Sequence, residues 1–153
     1  MNAKGLSCML VASCLFLAGA VSSRAQKPTS SSSAKPLLLD YKFFKTEVEP
    51  VFLNKRPGHA RCVVCHTANH VAFHLVPLPP GGTTWNEAQS RRNFELVQKA
   101  VDFDILEKSP LLRHPLAQQA GGDPTHGGGK HFESQDNPEW LILKAWVFGA
   151  KEK

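Results

Sequence analysis

The chain has 153 residues, 42% of them hydrophobic, with a formal net charge of +5, four cysteines and two methionines. That length supports one small domain with one core. The excess of basic residues does not indicate nucleic-acid binding, because no Lys/Arg cluster is longer than Arg91-Arg92 and such binding needs a concentrated basic face.

The first 25 residues have the layout of a secretory leader. Lys4 stands near the front, an apolar run extends from Leu6 to Val21, and Ser23-Arg24-Ala25 offers small residues at the minus-three and minus-one positions of a cut after Ala25. The run is short of the roughly 20 residues that span a bilayer, which disfavours an anchor. Lipidation at Cys14 would leave Leu15-Phe16-Leu17 directly behind the lipid and is disfavoured too. Cleavage removes Cys8 and Cys14, leaving Cys62 and Cys65 with no structural disulfide to propose. It also removes Lys4 and Arg24, which lowers the charge from +5 to +3.

Residues 26–36 carry Ser30 to Ser33 between Pro28 and Pro36. They bury almost nothing and read as a flexible linker. The folded domain is expected over 37–150.

Within it, Tyr41, Phe44, Val48 and Val51 or Phe52 recur at helical spacing, so a first helix is expected over 40–53, weakened near its end by Pro50. A basic Gly/Pro-containing connection, 54–60, follows. Then comes Cys62-Val63-Val64-Cys65-His66. C-x-x-C-H is the attachment pattern of a c-type haem: two thiols add across two vinyl groups of the porphyrin and the adjacent imidazole ligates the iron. Two intervening residues let both sulfurs reach one edge of a rigid ring from a single turn of chain. A zinc site would need two further ligands, usually as a second close pair, and no second pair survives leader removal. A thioredoxin-like dithiol would need a βαβ setting, and no β-rich pattern surrounds the motif. With haem bound, two propionates would bring the charge near +1.

Three prolines between Val71 and Gly82 exclude a regular helix there. An extended segment against the ring is expected, with the Val76 or Pro77 carbonyl accepting a hydrogen bond from the second nitrogen of His66. A second helix is expected over 84–102, capped by Thr83 or Thr84 and carrying Phe94, Val97 and Val101. A third is expected over 109–120, with Ser109 as cap, Pro110 first, Gly121-Gly122 beyond its end and Pro115 able to break it. The loop from Asp123 to Phe132 is glycine-dense and holds His126 and His131. Asn137 caps a final helix whose apolar stripe is Trp140, Leu143, Trp146 and Val147. Trp85, Trp140 and Trp146 are candidates to wall the pocket, core packing being the simpler account of each. There is no internal repeat and no useful alternating strand pattern, so the class is all-α, with three to five helices and a long irregular Pro/Gly-rich segment.

The sixth iron ligand is the open question. Met1 and Met9 both lie in the leader, so the exported chain has no methionine. His59, His70 and His74 are close in sequence to the attachment site and poorly placed for the other face, and His114 falls in the third helix, where packing or exposure is the default. His126 and His131 lie far enough along the chain to reach round, on glycines that permit close approach to a flat ring. His126, His131 or an open position all stand on this reading.

The elements Phe43-Phe44 with Val48-Glu49-Pro50-Val51-Phe52, Cys62 to His66, Ser109-Pro110-Leu111-Leu112, His126-Gly127-Gly128-Gly129 and Pro138-Glu139-Trp140 to Trp146 together resemble the small c-type cytochrome domains abundant in planctomycetes and acidobacteria. The resemblance runs from Leu37 to Gly149 in the right order. It implies a cytochrome c-like fold in which the first and last helices cross around one covalent haem, and it favours His126 over His131. The Met-Pro element near the end of many such domains is missing, so a high potential does not carry over. The expectation is an exported, periplasmic, mono-haem electron carrier between redox partner proteins, not an enzyme, with Cys62 and Cys65 anchoring the haem and His66 and His126 on the iron. The alternatives are a peroxidase-like enzyme or gas sensor with an open sixth position, and a fixed subunit of a membrane respiratory or reaction-centre complex. No nucleic-acid partner and no transmembrane span after leader removal are expected.

Overall fold

The computed structural model describes residues 38–68 and 73–152, which belong to one compact unit, Lys35–Lys153. The leader, the linker, His70 and the start of the proline-rich segment lie outside the described residues. Among the described residues the fold is all-α: there are helices and short 3-10 turns, no strand, and one isolated parallel bridge between Leu116 and Phe132. None of these helices is long and apolar enough to cross a membrane.

The first helix, α1, begins at Tyr41–Phe43, where the Asp40 side chain accepts from Phe43 N–H at 2.7 Å. It widens into a π segment, Phe44–Val48, and resumes as Glu49–Leu53. Pro50 does not end it. Proline has no N–H to give the carbonyl four residues back, and the chain widens just before it, Glu49 N–H bonding Phe44 O in the five-residue step of a π turn. The wide turn carries Glu49 inward together with Phe44, Val48, Val51 and Phe52, and leaves the residue only 6% exposed.

The motif forms its own short helix, α2, Cys62–His66. The next helix, α3, is Glu87–Val97, continued by a 3-10 turn to Ala100. Its cap is Asn86 rather than Thr83 or Thr84, and it starts later than its apolar spacing suggested. Asn86 and Gln89 form a reciprocal capping box, which outcompetes a lone threonine. The helix expected over 109–120 is only α4, Pro110–Arg113: Pro115 breaks it, and a separate 3-10 turn covers Gln118–Ala120 before Gly121 at φ 98°. Ser109 precedes α4 but does not cap it, because its hydroxyl accepts from Asp102 N–H at 3.0 Å. The last helix, α5, is Pro138–Val147, with the Asn137 side chain accepting from Glu139 and Trp140 N–H.

The core is aromatic where α1, α3 and α5 meet. The Phe44 ring lies 5.2 Å from Trp146 and 5.5 Å from Phe94, within the range in which tilted and edge-on rings attract. Each tryptophan indole donates to a backbone carbonyl: Trp146 to Asp40, Trp140 to Leu112 and Trp85 to Val76. Between α1 and α3, Ser90 Oγ donates to Glu49 Oε2 at 3.0 Å, while Glu49 Oε1 is buried with no partner.

Burial pushes the Glu49 carboxyl up to about 7, against the lowering effects of Ser90 and Lys45 and with a further raise from Glu87. Because the folded value exceeds the ordinary one, stabilisation is complete at low pH and is lost as pH rises toward 7. Urea unfolding between pH 4 and 8 should show Glu49→Gln matching the parent at pH 4 and exceeding it by about 3 kcal/mol at pH 8, at 1.36 kcal/mol per pH unit.

Candidate haem-binding site

A cavity of about 490 Å³ opens between α1, α2, α4 and the Gly-rich loop, a size typical of small-molecule and cofactor sites. Its walls are apolar: Val51, Phe52, Phe73, Leu111, Phe132 and Leu143. Cys62, Cys65, His66, His126 and His131 all face it, so residues about 60 positions apart in sequence converge as the spacing suggested. Both cysteines are free and partly buried.

His66 and His126 share one hydrogen-bonding pattern. His66 Nδ1 lies 3.0 Å from Phe73 O, and His126 Nδ1 lies 2.5 Å from Gly129 O. A carbonyl can only accept, so each Nδ1 carries the proton and each Nε2 is left as the basic nitrogen. That tautomer is the one in which metal-ligating histidines are held. The two ring centroids are 6.2 Å apart with planes inclined by 27°. One metal shared by two imidazole nitrogens at about 2.0–2.1 Å each would hold the centroids roughly 6 Å apart.

Backbone geometry makes the second of these bonds possible. Gly129 sits at φ +80°, a conformation open to glycine, and this turns its carbonyl back onto the His126 ring three residues earlier. The base of the loop is fixed: Ala117 N–H donates to Phe132 O, and His131 and Phe132 N–H both donate to Pro115 O. Gly122 packs against the same base, where a β-carbon would come within 1.9 Å of Leu116 O.

His131 is built differently. Its Nδ1 is buried without a partner, and its ring lies 4.7 Å from His59. Burial first, then the neighbouring His59 and Arg56, push its imidazole down to about 4. His66 is also pushed down by burial. A neutral ring is what a metal needs.

The carbonyl on His66 belongs to Phe73, not to Val76 or Pro77. Val76 O is occupied by Trp85 Nε1 at 2.7 Å and Pro77 O by Gln89 Nε2 at 3.2 Å. The three tryptophans do not line the cavity; their indole donors anchor them in the core. His114, expected to pack or point to solvent, faces the cavity just past α4, with Nδ1 2.5 Å from Asp123 Oδ2.

Arg56 was hidden in a stretch that reads as a basic connection. It is buried, pairs with Glu139 at 2.5 Å, donates to Val51 O at 2.9 Å and lies over the Phe132 ring at 5.0 Å. Its Nη1 lies 3.6 Å from Cys62 Sγ. Burial pushes the Cys62 thiol up, and the guanidinium partly offsets this. No sequence spacing signals this pairing, since Arg56 and Glu139 are 83 residues apart.

Among the described residues, no three His, Cys, Asp or Glu side chains are grouped so as to hold a bare metal ion. The donors around the cavity fit instead a metal that arrives with its own equatorial ligands, held by one imidazole on each side and by two thiols. No known family model, curated protein or solved structure matches the chain, so the site is argued from its own chemistry.

Removing one partner of a buried ion pair leaves the other uncompensated. Arg56→Met is expected to cost about 3 kcal/mol in urea unfolding, toward the low end because Glu139 keeps some contact with solvent. The double variant Arg56→Met/Glu139→Met should recover more than half of that loss.

Proposed function

We propose that this chain is an exported, periplasmic c-type cytochrome domain with one covalent haem, a cytochrome c-like fold and bis-histidine ligation, and that it passes single electrons between redox partner proteins. The observation that carries this reading is the pair His66 and His126: two imidazoles at one cavity, 6.2 Å apart, each with Nδ1 on a backbone carbonyl. The C-x-x-C-H motif at the same cavity supplies the anchors.

In this reading Cys62 and Cys65 hold the ring by thioether bonds, His66 is the proximal ligand and His126 the distal one. The haem supplies one-electron redox chemistry when bound. The chain's own part is to hold both imidazoles oriented by their Nδ1 bonds and to surround the ring with apolar walls. Imidazole favours ferric iron more than a thioether does, so the potential is expected to lie below that of a His/Met cytochrome. If His66 and His126 both hold the iron, a small molecule would find no open position on it, which favours electron transfer over a peroxidase-like or gas-binding role.

Two comparisons test this. Cys62→Ala/Cys65→Ala, produced with a haem-attachment system, should lose the haem stain that survives denaturing electrophoresis of the parent. In the parent, a low-spin spectrum indifferent to carbon monoxide is expected; His126→Ala should turn high-spin and bind carbon monoxide, and His131→Ala should not. The reverse pattern would move the distal ligand to His131.

A further inference from the structure

The segment Phe73 to Pro77 has no regular structure, yet five of its backbone polar groups are committed. Two bonds run to α2: Phe73 O takes His66 Nδ1 at 3.0 Å, and Leu75 N–H donates to His66 O at 2.7 Å. Three run the other way, toward α3 and the residues before it. Val76 N–H donates to Asn93 Oδ1 at 2.7 Å, Val76 O accepts from Trp85 Nε1 at 2.7 Å, and Pro77 O accepts from Gln89 Nε2 at 3.2 Å. The segment is therefore a strap strung between His66 and α3.

Asn93 is the buried post of that strap. It is 0% exposed, and its amide orientation is set by Val76, whose N–H can bond only to the oxygen. Its Nδ2 is then left buried with no partner. An unpaired buried amide nitrogen costs about 1–3 kcal/mol, so an apolar side chain that did not need to hold Val76 would suit this position better. Gln89 is at the surface and Trp85 also fills the core, which leaves Asn93 as the side chain whose polar function is spent on the strap alone.

We propose that Asn93 is a positioning residue for the proximal ligand: by accepting from Val76 N–H it holds the strap so that the Phe73 carbonyl stays on His66 Nδ1, and it thereby sets how strongly that imidazole donates to iron. This rests on the haem reading above. A hydrogen bond from Nδ1–H to a carbonyl makes the imidazole more basic and strengthens its ligation. That favours the ferric state, so slackening the bond raises the reduction potential.

The test uses the haem-loaded full chain at pH 5, comparing the parent with Asn93→Leu, which removes the acceptor at similar volume, and Asn93→Asp. At that pH a buried carboxyl is uncharged, and its carbonyl oxygen still accepts. Asn93→Leu is expected to raise the reduction potential, to alter the ferric electron paramagnetic resonance spectrum and to speed hydrogen exchange at the Val76 amide. Asn93→Asp should stay close to the parent in all three. If Asn93→Leu lowers thermal stability but keeps the parent's potential and spectrum, Asn93 is a packing residue and the proposal is overturned. Should Asn93→Leu fail to accumulate, Trp85→Phe cuts the neighbouring tether on Val76 while keeping an aromatic in the core; a potential moved upward supports the proposal and an unmoved one overturns it. Absence of covalent haem in the parent would remove the haem reading itself, whereas an unmoved potential in loaded variants removes this inference alone.

Discussion

Phe44 is where the fold is tied together. Its ring meets Trp146 from α5 and Phe94 from α3, and Trp146 in turn bonds the carbonyl of Asp40 at the start of α1. Three helices distant in sequence are fixed by one cluster of three aromatic rings and one indole hydrogen bond. Further along α1, Phe52 leans on Phe44 and Phe73 and, with Val51, forms one wall of the cavity. The motif helix α2 and the Gly-rich loop line the same space.

At the cavity, backbone geometry decides more than side-chain identity. Four histidines, His66, His114, His126 and His131, face the space, yet only His66 and His126 have Nδ1 on a backbone carbonyl. This difference separates His126 from His131 without reference to their nearly equal distances along the chain. Burial pushes the imidazoles of His66 and His131 down, and Arg56, the one buried guanidinium among the described residues, is paired with Glu139.

Much of this could be read from the residues. Cys62, Cys65, His66, His126 and His131, singled out by spacing and by the lack of a methionine after the leader, line one cavity, and Asn137-Pro138 announced α5. What could not be read has physical causes. Thr83 and Thr84 are good caps taken singly, but the reciprocal bond of Asn86 and Gln89 is better. The carbonyl serving His66 came from Phe73 because those of Val76 and Pro77 were claimed by Trp85 and Gln89, a competition that only three-dimensional contact resolves. Glu49 carries no signal of burial in the residues, because a regular 3.6-residue period turns it away from Phe44. The π turn turns it in.

That turn also gives α1 a tolerance the other helices lack. A π turn holds one residue more than the α turn it replaces, so 44–48 carries a spare residue within an otherwise regular rod. Loss of one residue there would close the turn and rotate Glu49 away from Ser90, with Pro50 then seated against the carbonyl of a regular turn as the cost. An equivalent loss in α5 has no slack to consume and would swing Trp140 or Trp146 off its carbonyl. Among the described residues, α1 is the helix that holds such a spare residue.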